Sequence, residues 1–155
     1  MKLTIFSIAL ALAAVTNAQQ PDAHHDSVNQ HGDHARGFSH EKTTHHFRLY
    51  ADGGAIEVTA NDPSDTGSRD RIRMHLSHIA GMCAAGNFQA PILVHGQAPP
   101  SVPVLQKLKS KVRYKFEEID HGGRMRISTK NADALQAVHE FLHFQISDHQ
   151  TGDPK

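Results

Sequence analysis

Two double-glycine segments govern what this chain can become. Asp52-Gly53-Gly54 separates residues 46–50 from 55–60, and Asp120-His121-Gly122-Gly123 separates 112–119 from 124–129. Paired glycines supply positive φ cheaply, so each segment reads as the tip of a β-hairpin. A stretch of helical periodicity follows each one. In the first, over 68–85, Ser68 stands as N-cap and Asp70 in the first turn. Ile72, Leu76, Ile79 and Cys83 recur at helical spacing, and Gly86 stops the run. In the second, Asn131 caps a helix that runs to about Asp148 with the stripe Leu135, His139, Leu142 and Ile146. Ile56 and Val58 correspond to Met125 and Ile127. The expected fold is α+β: two hairpin–helix (ββα) units form a four-stranded antiparallel sheet, with two helices on one face. Between the units, 91–95 is expected to be extended, Pro99, Pro100 and Pro103 stiffen the chain, and 104–110 holds one or two helical turns.

The N-terminus has a different character. Lys2 precedes an apolar run over 3–15 that includes Ile5, Phe6, Ile8, Leu10 and Leu12, and small residues follow at Thr16-Asn17-Ala18. This is the pattern of a cleaved signal peptide over 1–18, with Gln19 opening the mature chain. The run is too short to cross ~30 Å of hydrocarbon comfortably. A periplasmic or secreted product is expected. Residues 19–43 carry almost no large apolar side chains and read as a disordered, histidine-rich arm. The single α+β domain then occupies 44–150, and 151–155 is a tail. Sixteen basic and sixteen acidic residues balance, which argues against nucleic acid or anionic lipid as partner. The single cysteine, Cys83, cannot form an internal disulfide and reads as a small buried hydrophobe.

Fourteen histidines are the anomaly of composition. On the first helix His75, His78 and Met82 share one flank of the apolar stripe. Imidazole with thioether suits a soft or borderline metal, copper above all. On the second helix His139 lies within the stripe, and His143 follows one turn later. His139-Glu140-Phe141-Leu142-His143 also matches the zincin string H-E-x-x-H, with Glu140 as the base. The helix lies close to the C-terminus and the domain is small for a substrate cleft, so an enzyme is not the leading expectation. His95 closes an apolar run, and His149 follows the second helix. The bland alternative for each is a histidine satisfied by hydrogen bonds in the core or by solvent. No P-loop, dinucleotide fingerprint, haem-attachment string or nucleophile elbow is present.

Asp52-Gly53-Gly54, Ile72-Arg73-Met74-His75-Leu76, Val94-His95-Gly96, Val138-His139-Glu140-Phe141 and Asp148-His149 together carry a resemblance. Over about 44–153 the chain resembles a group of small exported, histidine-containing bacterial proteins that often bear the automatic label aspartate carbamoyltransferase. The residues do not support that label, since the carbamoyl-phosphate loop Ser-Thr-Arg-Thr is absent and the chain is far too short for the two-domain enzyme. The resemblance implies a periplasmic protein concerned with metal handling, with histidines at 75, 95, 139 and 149. It also implies an aromatic near the position of Met82, which counts against a methionine ligand.

The leading expectation is a periplasmic protein that binds or sequesters copper, or less readily zinc. His75, His95, His139 and His149 would form the ordered site, with His78, Met82 and His143 in reserve and the arm capturing or delivering ions. The alternatives are a secreted, non-enzymatic interaction module with structural or pH-responsive histidines, and a small zinc metallohydrolase using Glu140. Mass spectrometry of the chain exported from a bacterial host should find Gln19 at its N-terminus. An intact Met1 in the exported fraction would refute the signal peptide.

Overall fold

The computed structural model describes residues 23–155, so the expected signal peptide lies outside the described residues. The order of elements is α1 (Ala23–Arg36), β1 (Thr43–Tyr50), β2 (Gly53–Ala60), α2 (Thr66–Ala84), α3 (Gln89–His95), α4 (Val102–Lys107), β3 (Val112–Ile119), β4 (Gly122–Thr129) and α5 (Ala132–Asp148), with 3-10 turns before β1 and β3. The strands form one antiparallel sheet in the order β1-β2-β4-β3. Helix α2 lies across β3 and β4, and α5 lies across β1 and β2, so each helix covers mainly the other unit's hairpin. The fold is the expected α+β arrangement of two ββα units.

The register makes the internal repeat structural. Ile56 of the first unit pairs directly with its counterpart Met125, while Val58 faces Gly123 and Ile127 faces Gly54. Val58 and Ile127 thus each oppose a glycine of the other unit. The turns cross-brace in the same way: Ala60 N–H donates to His121 O, and Thr129 N–H donates to Asp52 O, both at 2.9 Å.

Gly53 takes the expected positive φ, 146°, but the glycine pairs are not themselves the tips. Gly53 pairs with Tyr50, and Gly122 pairs with Ile119, so both double glycines lie inside strands. The tips are Ala51-Asp52 and Asp120-His121, and His121 itself takes φ 59°. What the glycines provide is close approach. A Cβ on Gly54 would lie 2.3 Å from both Arg48 O and Leu142 Cδ1, and one on Gly123 would lie 3.2 Å from Leu76 Cδ1. In each unit a missing side chain lets a helix leucine press onto the sheet. The core that results contains Phe47, Cys83, Phe88, Leu105, Met125, Ile127 and Leu142, all buried.

Three local expectations need correction. Asp65, not Ser68, caps α2: its carboxylate accepts from Ser68 N–H at 2.9 Å and from the Ser68 hydroxyl at 2.7 Å. Residues 91–95 are helical, not extended. Pro91 falls in the first turn of α3, where its missing N–H would have had no intrahelical acceptor, and Gly96 ends the helix at φ 66°. Residues 19–43 are not wholly an unstructured arm, because 23–36 form α1 and His40–Lys42 a 3-10 turn. Composition hid this because so few residues anchor the segment. Val28 is 1 % exposed and Phe38 5 % exposed, and α1 lies chiefly against α3.

Gly54→Ala should destabilise the chain by about 1–3 kcal/mol, the usual range for overpacking. Urea unfolding measures it, and an unchanged midpoint would mean that α5 does not need the glycine's space.

Candidate functional site

Strand alternation sends His45, Phe47 and Leu49 toward the helices, and His46 and Arg48 toward the other face. His45 therefore enters the space where α1, α2, α3 and the end of α5 meet. His75 comes to the same space from α2, His95 from the last position of α3, and His149 from the C-cap of α5. The rings of His45 and His149 stack almost parallel, 5.9 Å apart between centroids and 5° between planes. His95 meets His149 edge-on at 5.0 Å. These four histidines and Arg36 line an inner chamber of about 80 Å³ with an apolar floor that includes Leu76, Cys83, Met125 and Phe141. His45, His149 and Arg36 also line an outer, more polar cleft with His25, His40 and His46.

The rings differ in what their nitrogens do. His95, only 3 % exposed, has both nitrogens engaged. Its Nδ1–H donates to Asp148 Oδ2, and its Nε2 lies 2.9 Å from the Gln145 side-chain oxygen. Gln145 Nε2 is buried without a partner. Turning the amide over would let that N–H donate to His95 Nε2, so His95 is held at both ends in either orientation. His45 Nε2 takes an N–H from Arg36 Nη1 at 3.2 Å. Arginine can only donate, so His45 Nε2 carries the lone pair and its proton is on Nδ1. No hydrogen bond to the rings of His75 or His149 is found among the described residues.

Burial decides the charge of these rings. Desolvation, reinforced by the Arg36 guanidinium and then by neighbouring histidines, lowers His45 to about 3. Burial first, then Arg36 and His78, lowers His75 to about 4. His149 falls to about 2 through burial and its His95 and His45 neighbours, against the opposing pull of Asp148. All three are neutral imidazoles at pH 7. Cys83, in the floor, is pushed up to about 12 by burial and remains a thiol.

The chain beyond α5 holds the site from the outside. Asp153 accepts the Phe47 backbone N–H at 2.9 Å and the His46 Nδ1–H at 2.8 Å. Arg48 and the Thr151 hydroxyl bind the same carboxylate. At the last residue of α5, His24 Nε2–H donates to Asp148 Oδ1 at 2.8 Å, tying the start of α1 to the end of α5.

Of the seven candidate ligands, His75, His95 and His149 come together and the other four do not join them. His139 donates Nε2–H to both Tyr50 O and Gly53 O at 2.9 Å, closing the first hairpin from beneath. That nitrogen has no lone pair to offer, so His139 and His143 do not present the paired Nε2 donors of a zincin. Glu140 beside them is exposed and bound by Gln136. His143 Nε2 is buried without a partner. His78 is exposed and Met82 half-buried on the flank of α2. Sequence reasoning missed His45, Arg36 and Asp148. Starting β1 at Thr43 would have put His45 in phase with Phe47, whereas Arg36 gave no signal. Among the described residues, no three His, Cys, Asp or Glu side chains are already gathered about one point at metal-binding distance. Comparison with family models, curated proteins and solved structures finds no match to the chain.

The three neutral rings make stability depend on pH. In the unfolded chain each titrates near 6.5; in the folded chain each titrates between about 2 and about 4. The unfolded state therefore binds more protons below pH 6.5. The stability contributed by neutral burial is complete above that value and is lost as pH falls toward the folded values. Each ring contributes a slope of up to ~1.4 kcal/mol per pH unit. Urea unfolding at several pH values should show a steep decline on acidification from neutrality, and His75→Phe should make it shallower. Equal stability at neutral pH and at about pH 4.5 would contradict the burial described here.

Proposed function

We propose that this chain is an exported, non-enzymatic protein that binds a transition-metal ion, copper first and zinc second, at the edge of the histidine-lined chamber. His45 and His149 are the principal ligands and His75 the third. The observation that carries this reading is the pair of neutral rings of His45 and His149, 5.9 Å apart. Imidazole binds a metal through its in-plane lone pair at about 2.0–2.1 Å, so one of these two parallel rings turns for both to reach one ion. Neutral imidazole is the ligating form, and burial maintains it without a proton to expel.

Two further features support an ion as the ligand. The inner chamber, at about 80 Å³, is far smaller than the ~300–1,000 Å³ that organic ligands usually occupy. Asp148 also fixes His95, whose ring packs edge-on against His149 and so restrains that ligand from behind. Imidazole donors without thiolate place Cu(II) ahead of Zn(II) by the general order of divalent affinity. The histidines of α1 lie just outside and would collect ions at the entrance.

A second reading rests on the same burial. Rings kept neutral at the junction of four helices and a strand would make the chain a pH-responsive interaction module. Titration calorimetry separates the two. The metal reading expects one tight Cu(II) or Zn(II) equivalent per chain, weakened at least ~10–100-fold by His45→Ala or His149→Ala and unaffected by His139→Ala. Tight binding that survives both His45→Ala and His149→Ala, or no tight binding by the parent chain, would remove the metal reading.

A further inference from the structure

Arg36 is the least expected group at this site. Its side chain is only 7 % exposed, and burial lowers its pKa despite the opposing pull of Asp33. One arm of the guanidinium donates to His45 Nε2 at 3.2 Å. Another reaches Asp33 at 3.3 Å. The plane passes over the Phe38 ring at 5.5 Å, and Nε is buried with no partner at all. A buried cation with an orphaned N–H is costly, yet the chain makes specific room for it. Gly32 lies one turn earlier on α1, and a Cβ there would fall 2.4 Å from Arg36 Nη2 and 2.7 Å from Cζ. The guanidinium occupies the space that any other residue at position 32 would fill.

From this arrangement we infer that Arg36 is a built-in stand-in for the metal, with α1 as the lid that carries it: the guanidinium occupies the lone pair of His45 Nε2 until an incoming ion displaces it and α1 releases. The inference rests on the metal-binding reading above and adds its control. The exchange balances without a proton, because His45 Nε2 is already the unprotonated nitrogen and ligates as it stands. One positive charge leaves the chamber edge as a divalent ion arrives, so the like-charge repulsion from Arg36 that would otherwise oppose the ion is relieved by the same movement. The lid has a hinge and a latch. Gly37, directly after Arg36, has φ 74° with open space around its Cα. At the far end, the latch is the His24–Asp148 hydrogen bond, a partly exposed contact. An ion that opens the lid is selected for strength of imidazole binding, since it must outcompete a resident cation.

Two substitutions and one measurement on the unaltered chain test this. Arg36→Met removes the competing charge. Gly32→Ala keeps the charge but puts a methyl group where the guanidinium lies, and alanine suits a helix better than glycine, so this variant keeps the test open if Arg36→Met does not fold. Both should tighten Zn(II) and Cu(II) binding by about tenfold or more, the scale expected for removing one nearby like charge. In the unaltered full chain, saturating Zn(II) should speed hydrogen exchange over residues 23–36 while slowing it around His45 and His149. Unchanged affinity in the folded variants, or unchanged exchange over 23–36 with zinc bound, would overturn the lid. That failure differs from failure of the site itself, which would appear as undiminished binding in His45→Ala and His149→Ala.

Discussion

The Asp148 carboxylate is where three helices are joined. It ends α5 and takes N–H donors from His95 at the end of α3 and His24 near the start of α1. A negative charge at a helix C-terminus is disfavoured by the helix dipole, and partial burial also works against it. The two histidine donors outweigh both effects and hold its pKa below the ordinary carboxylate value. Helix α3 is short, and at its N-terminus Asn87 Oδ1 accepts the Gln89 N–H, so the His95–Asp148 contact is the matching restraint at its other end. The floor of the chamber, the tilt of His95 against His149 and the docking of α1 on α3 follow from that one anchor.

The balance between burial and charge sets the character of the site. Four imidazoles and a guanidinium crowd together with few carboxylates, and the protein manages this by keeping His45, His75 and His149 neutral. Neutral rings are both weaker hydrogen-bond partners and better ligands than imidazolium. On the metal-binding reading proposed above, the arrangement trades local stability for coordinating capacity, as functional sites often do. The second strand–helix unit contributes no equivalent. The positions that match His45 and His75 lie among Tyr114 and the α5 residues, where Tyr114 is a buried phenol raised by desolvation. The internal repeat is a scaffold, and the histidine cluster sits at one end of it.

The scaffold was legible from sequence because it obeys local rules. Hairpin alternation, the Asn131 cap with its bond to Ala134 and the stripes of α2 and α5 are each encoded within a few residues. The glycine pairs were located correctly but assigned to the turns, since their true partners, Leu76 and Leu142, are distant in sequence. The same limit governs the site. Helical phase put His75 beside the core and found His139 within it, but phase cannot say that His139 is consumed by the Tyr50 and Gly53 carbonyls. His95 and His149 stood out in the sequence as residues, but nothing local showed what surrounds them. His45 was lost with the polar segment, whose order depends on two anchors, Val28 and Phe38, too sparse to register as a pattern.

Asp153 has a consequence for the whole molecule. Strand β1 is a margin of the sheet, and the Phe47 amide on its outer side is covered only because Asp153 folds back to accept it. An extended segment from a neighbouring molecule could use that same amide to begin a new ladder. The acidic residue near the C-terminus is thus a guard against self-association, and a chain clipped or fused at this point would carry an open template for aggregation beside its histidines.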